Sequence, residues 1–231
     1  MPAETRRVTF PATGDGPLLE GVLHMPNGTG PFPAAVVCHP HPLMGGRMDN
    51  TVVVAVCREL AARGWVVLRF NFRGAGRSGG SFDQGRGEMD DVSGAMDFLS
   101  AQAVVDAGRL AVAGYSFGAE VGLRHATRDP RISWLVGIAL VREHYADPFL
   151  DADPRPKLFI AGERDPWAPP SALHEYVARL SPPKTVHVIS GTDHFFAGRE
   201  GEVAGLIADF LSYPLEGADR LHPADKLHPR K

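Results

Sequence analysis

Cysteine is scarce in this chain: 231 residues hold two, Cys38 and Cys57, each inside an apolar run. Thiols so placed in a chain of this size read as packed side chains rather than a disulfide, which points to a reducing, cytoplasmic setting. Long apolar runs are missing as well. None reaches the ~20 residues that span a bilayer, and the opening Met1-Pro-Ala-Glu-Thr-Arg-Arg lacks the apolar core of a signal peptide, so neither a membrane nor secretion is expected. An excess of one charge is also lacking. The 24 Lys and Arg stand against 27 Asp and Glu, a net charge of −3, which leaves no footprint for nucleic acid or an anionic surface. No internal repeat and no dividing linker is visible. The length suits one sizeable core, and the expectation is a single domain over residues 1–213 followed by a polar, proline-punctuated tail over 214–231.

Against these absences the pattern of apolar runs is rich. Residues 6–11 and 18–25 alternate around Thr13-Gly-Asp-Gly16, as a β-hairpin would. Continuous apolar runs follow at 34–38, 65–70, 110–115, 132–140, 157–161 and 185–189, each suited to a strand covered on both faces. Helical periodicity separates them, from about residue 48 or 49 to 62, 88 to 99, 117 to 126, 171 to 180 with Ser171 as N-cap, and 201 to 211. Alternation of this kind predicts a doubly wound, mostly parallel sheet with an antiparallel N-terminal edge, whose strand-end loops gather on one side. Two motifs on those loops are set aside. Gly74-Ala-Gly-Arg-Ser-Gly79 matches a dinucleotide fingerprint, but Gly80-Ser-Phe-Asp-Gln-Gly85 intervenes before the helical pattern from residue 88 begins, so it reads as a structural turn. His39 and His41 lie two apart on a proline-rich loop without a third ligand at metal spacing, and no metal site is expected.

The stretch that carries chemistry is Leu110-Ala-Val-Ala-Gly-Tyr-Ser-Phe-Gly118. Its G-x-S-x-G turn has the form of a nucleophile elbow, a strained strand-to-helix turn that presents a serine hydroxyl. A Cβ at Gly114 or Gly118 would collide within so tight a turn. Serine needs a base to take its proton and the base needs a carboxylate to orient it, which makes Ser116, His194 and Asp165, each on a loop after a predicted strand, the leading set. Asp147 is the substitute acid; Asp193 and Glu163 are weaker competitors. The N–H of Phe117 is the first oxyanion donor, and the loop 39–46 should supply the second, from His41 or else from Leu43. Tyr145, Phe117, Trp167, Phe195 and Phe196 are candidate apolar walls.

Four stretches together resemble the α/β-hydrolase superfamily: His39-Pro-His-Pro-Leu-Met-Gly-Gly46, Phe70-Asn-Phe-Arg-Gly-Ala-Gly-Arg-Ser78, Gly114-Tyr-Ser-Phe-Gly118 and Asp193-His-Phe-Phe196. More narrowly, the chain looks like small bacterial hydrolases near the dienelactone-hydrolase and acyl-peptidase-like branches, over residues 6–211. The resemblance implies a serine hydrolase acting on a small carboxylic ester or related acyl substrate through an acyl-enzyme, with no cofactor, no large cap domain and only a short flap at 141–157. Thioesterase, acyltransferase and peptidase activities share the same triad, and a non-catalytic binding protein on a hydrolase scaffold is the reading from another class. A homodimer is an expectation from analogy alone.

Overall fold

The structure, a computed structural model, describes residues 4–212; the tail expected from Pro214 lies outside them. The strands are β1 (Glu4–Pro11), β2 (Leu18–Met25), β3 (Phe32–Cys38), β4 (Val66–Phe70), β5 (Val105–Tyr115), β6 (Ile132–Ile138), β7 (Lys157–Gly162) and β8 (Lys184–Ile189). They form one sheet in the order β1-β2-β4-β3-β5-β6-β7-β8. The six strands from β4 to β8 run parallel, while β2 pairs antiparallel with both β1 and β4. The hairpin thus supplies the antiparallel edge.

Alternation along β3 shows how the sheet is covered. Ala34, Val36 and Cys38 face one apolar layer, and Ala35 and Val37 the other. The first layer is completed by helices α2 (Arg86–Ser100), α3 (Phe117–Ala126) and α4 (Pro170–Arg179), the second by α1 (Thr51–Ala62) and α5 (Glu200–Leu211). The two cysteines fall on opposite faces, Cys38 in the first layer and Cys57 in the second, and both are free. Burial pushes both thiols up, Cys57 to about 12, so they pack as small apolar groups. No helix among the described residues is long and apolar enough to cross a membrane.

Helix starts differ from expectation where a cap was hidden. α1 begins at Thr51, not at residue 48 or 49, because the Asn50 side chain accepts from the N–H groups of Val52 and Val53 at 3.0 and 3.4 Å. α4 begins at Pro170 rather than after Ser171, since proline suits the first helical position with its preset φ and lack of an N–H. The glycine-rich loop after β4 is a structural turn. Asn71 Nδ2 donates to Glu20 Oε1 at 2.7 Å and Ser78 Oγ donates to the Asn71 carbonyl at 2.6 Å, which ties the loop to β2. α2 opens only at Arg86, where Glu88 already accepts from the backbone of Asp83 and Gly85.

Candidate active site

The parallel pairing of β3 with β5 sets Cys38 beside Gly114, so the loop after β3 and the turn after β5 leave the sheet side by side. In that turn Ser116 has φ 55° and ψ −116°, a region that side chains rarely enter. Both flanking glycines are sterically required. A Cβ on Gly114 would lie 2.1 Å from the Gly118 carbonyl oxygen, whereas one on Gly118 would lie 2.5 and 2.6 Å from the carbonyls of His39 and Cys38, at the end of β3. The neighbouring strand as well as the turn itself forbids the larger residue.

His194 stands opposite on the loop after β8. Its Nε2 lies 3.0 Å from Ser116 Oγ and its Nδ1 2.8 Å from Asp165 Oδ2. A carboxylate oxygen only accepts, so Nδ1 carries the hydrogen and Nε2 is left as acceptor for the serine hydroxyl. Asp165 is held in turn. Its Oδ1 accepts from the N–H groups of Trp167 and Ala168, both at 2.9 Å, and the side chain is fully buried. The competing acids point elsewhere: Asp147 pairs with Arg124 at 2.7 Å, Asp193 accepts from the N–H of Phe195, and Glu163 accepts from the N–H of Gly191.

A cavity of about 650 Å³ opens over these groups. Ser116, Phe117, His194, Trp167 and Phe195 line it together with His41, Met44 and Phe82, and Glu120, Glu143 and His144 form a polar wall. Leu43 is not on that wall, and its N–H donates to His41 Nδ1 at 3.2 Å.

Comparison with known proteins decides the lineage. The family model for the X-Pro dipeptidyl-peptidase (S15 family) matches residues 15–151. An uncharacterized protein of Rickettsia prowazekii is 35% identical over 187 residues, 78% of each chain. The chain belongs to the S15 family of α/β-hydrolases. Two solved members of the α/β serine hydrolase fold are similar throughout. One, from Xanthomonas campestris and described as lacking a lid, is 33% identical with a TM-score of 0.79, covering 91% of this chain and 95% of its own. The other, a serine hydrolase homologue from Coxiella burnetii, is 31% identical with a TM-score of 0.77, covering 90% and 97%.

Within this serine-hydrolase family member, two expected wall residues are not on the wall. Tyr145 is buried: its ring stacks on Tyr176 at 4.8 Å and its hydroxyl donates to the Leu140 carbonyl, so the short flap contributes Glu143 and His144 to the pocket instead. Phe196 is fully buried in the second apolar layer, with its ring edge-on to Tyr115 and its φ at 53°, while Phe195 points out. Other contributors carry no sequence signal. The Tyr115 hydroxyl donates to the His194 carbonyl at 2.7 Å and anchors the histidine loop from the elbow itself.

His39 is the loop's buried pin. Its Nδ1–H donates to the Pro40 carbonyl at 2.6 Å and its Nε2 accepts from the N–H of Phe72 at 3.0 Å. Burial pushes its pKa down to about 4, below the 6.5 of an ordinary imidazole. A depressed histidine contributes stability that is full above the unfolded value and is lost as pH falls toward the folded one. Between pH 6.5 and 5 this group alone should remove about 2 kcal/mol of stability. Urea unfolding at both pH values checks this, and equal midpoints for wild type across that window would count against a neutral, buried His39.

Proposed function

We propose that Ser116 is the nucleophile, His194 the general acid and base, and Asp165 the carboxylate that orients it, in a hydrolase that cleaves small carboxylic esters through an acyl-enzyme. The observation that carries this reading is the continuous relay from Ser116 Oγ through His194 to Asp165 Oδ2, at 3.0 and 2.8 Å, opening on the cavity. As Oγ attacks the ester carbonyl, Nε2 takes its proton, and Asp165 stabilises the imidazolium that forms. The developing oxyanion is held by the N–H of Phe117, first in α3 and without a carbonyl one turn back to bond. The N–H of His41 is the second donor. In favour of His41 over Leu43 stand its place on the pocket wall and the prior engagement of the Leu43 amide by the His41 ring. The imidazolium then protonates the leaving oxygen, and a water activated by the same nitrogen releases the acid. Nucleophile, proton transfer and charge stabilisation all come from the chain, so the reaction balances without a cofactor.

A peptide bond is the second reading, favoured by the description of the matching family. A fluorophosphonate probe tests the shared chemistry. Wild-type protein is expected to gain one phosphonyl adduct, mapped to Ser116 by mass spectrometry. Labelling that persists in Ser116→Ala at the wild-type rate would place the nucleophile elsewhere. Initial rates on a butyrate ester and on a Pro-containing dipeptide anilide then separate the two readings.

A further inference from the structure

Two exposed aromatic rings stand against His194. Trp167 and Phe195 are 45% and 59% exposed. Their ring centroids lie 4.9 and 5.8 Å from that of His194 and 5.8 Å from each other, with interplanar angles of 76°, 88° and 82°. Packing does not account for them, because about half of each residue stays exposed beside an open cavity, and exposed aromatic surface grouped at a pocket mouth marks a place where something binds. Both are held by short local bonds on the loops that carry acid and base. The N–H of Trp167 donates to Asp165 Oδ1, its carbonyl accepts from the N–H of Arg142, and the N–H of Phe195 donates to Asp193 Oδ1. The backbone that carries each ring is therefore bonded on the same loops as the reacting groups.

Reaction geometry says which part of a substrate they meet. In the tetrahedral adduct on Ser116 the oxyanion lies toward the N–H groups of Phe117 and His41. The leaving oxygen lies within reach of His194 Nε2, since that nitrogen must protonate it. Whatever the leaving oxygen carries then runs past the imidazole edge, where Trp167 and Phe195 stand. The rest of the cavity is of another kind. On the oxyanion side the rings of His41, Phe82 and Phe117 pack on one another at 4.9 to 5.6 Å, and the remaining wall mixes the aliphatic Met44 and Val141 with polar groups, among them His144 Nε2 at 3.1 Å from Glu120 Oε2.

We infer that Trp167 and Phe195 form a leaving-group subsite that selects an aromatic alcohol, an assignment that rests on the Ser116–His194 reading above. Two mutually perpendicular rings offer an edge and a face, which a third ring meets in edge-to-face or offset contact and a saturated group of equal size does not. The chemistry adds nothing new to balance. The acyl carbon–oxygen bond breaks, the serine proton passes through Nε2 to the departing oxygen, the aromatic alcohol leaves, and water later cleaves the acyl-enzyme.

Three butyrate esters whose alcohols are all unactivated isolate recognition from leaving-group reactivity: ethyl, cyclohexylmethyl and benzyl. Wild type should show kcat/KM for the benzyl ester about tenfold above the ethyl ester and about threefold above the cyclohexylmethyl ester. Trp167→Ala and Phe195→Ala should each pull the benzyl-to-ethyl ratio down by about threefold or more, with Trp167→Phe recovering most of it. Ester turnover without a benzyl preference, a preference unmoved by either alanine variant, or an equal rate for the cyclohexylmethyl ester overturns the subsite alone. Failure to turn over any ester together with an unlabelled Ser116 overturns the underlying reading and the subsite with it.

Discussion

Replacing Ser116 with alanine is expected to lower kcat on a butyrate ester by about 10⁵-fold or more, because the covalent route disappears and only transition-state binding remains. His194→Ala should cost about as much, and the double variant little more than either, since a nucleophile without its base and a base without its nucleophile fail at the same step. Asp165→Asn should fall less far, by about 10⁴-fold, because an amide at this position can donate to Nδ1 and so favour the wrong tautomer. The geometry makes this sharper than for an exposed acid. Asp165 Oδ1 already accepts two backbone N–H groups at 2.9 Å, so the amide nitrogen cannot turn toward Trp167 and Ala168 without opposing donor to donor, and it must face His194. Single-turnover kinetics with active-site titration separates these losses from unfolding. A multiplicative double variant, with the two single losses combining in full, would contradict a common chemical step.

The strands and the elbow were legible because they rest on local pattern. Six continuous apolar runs announce strands buried on both faces, and Gly114 and Gly118 bracket Ser116 at positions where the backbone leaves no room for a Cβ. Asp165 and His194 could be placed because each directly follows one of those strands. What escaped depends on contacts far apart in sequence or on a backbone angle that no residue pattern encodes. Phe195 and Phe196 are identical letters side by side, yet one is exposed and the other, with a positive φ, lies in the core. Tyr145 faces inward because Tyr176, 31 positions away, offers its ring. Tyr115 occupies a position of the elbow that the G-x-S-x-G pattern leaves open, yet its hydroxyl bonds a carbonyl 79 residues downstream. The glycine-rich loop is legible as a turn from its distance to the next helix, but the acids that fasten it, Glu20 on β2 and a second one on α2, are not.

The second acid is Asp91, and Asp91→Ala is expected to destabilise the fold by about 3–5 kcal/mol. The carboxylate is fully buried in α2 and receives three bonds from Arg73 of the loop after β4: the backbone N–H at 2.8 Å, Nε at 3.0 Å and Nη2 at 2.8 Å. Gly87 makes the approach possible, since a Cβ there would meet Arg73 Nη1 at 1.9 Å. Burial pushes the Asp91 carboxyl up despite the pull of the guanidinium, while the same contact holds the Arg73 guanidinium above its ordinary value, so the desolvation cost falls on the fully buried acid. The cost of the alanine variant therefore comes mainly from what it strands, a largely buried guanidinium and an N–H with no acceptor. Removing the cation as well should recover part of the loss: Arg73→Met with Asp91→Leu is expected to sit about 1–3 kcal/mol below wild type, the residual being the unpaired Arg73-position amide. Urea midpoints of the two single variants and the double variant read this out, and a double variant as unstable as Asp91→Ala would show that the ion pair itself, rather than the orphaned charge, holds the loop. The loop matters to the site because the next residue back, Phe72, gives its N–H to His39 and sets its ring edge-on to Phe117 at 5.6 Å. Loosening Arg73 thus frees the backing of both proposed oxyanion donors at once, the loop carrying His41 and the helix start carrying Phe117.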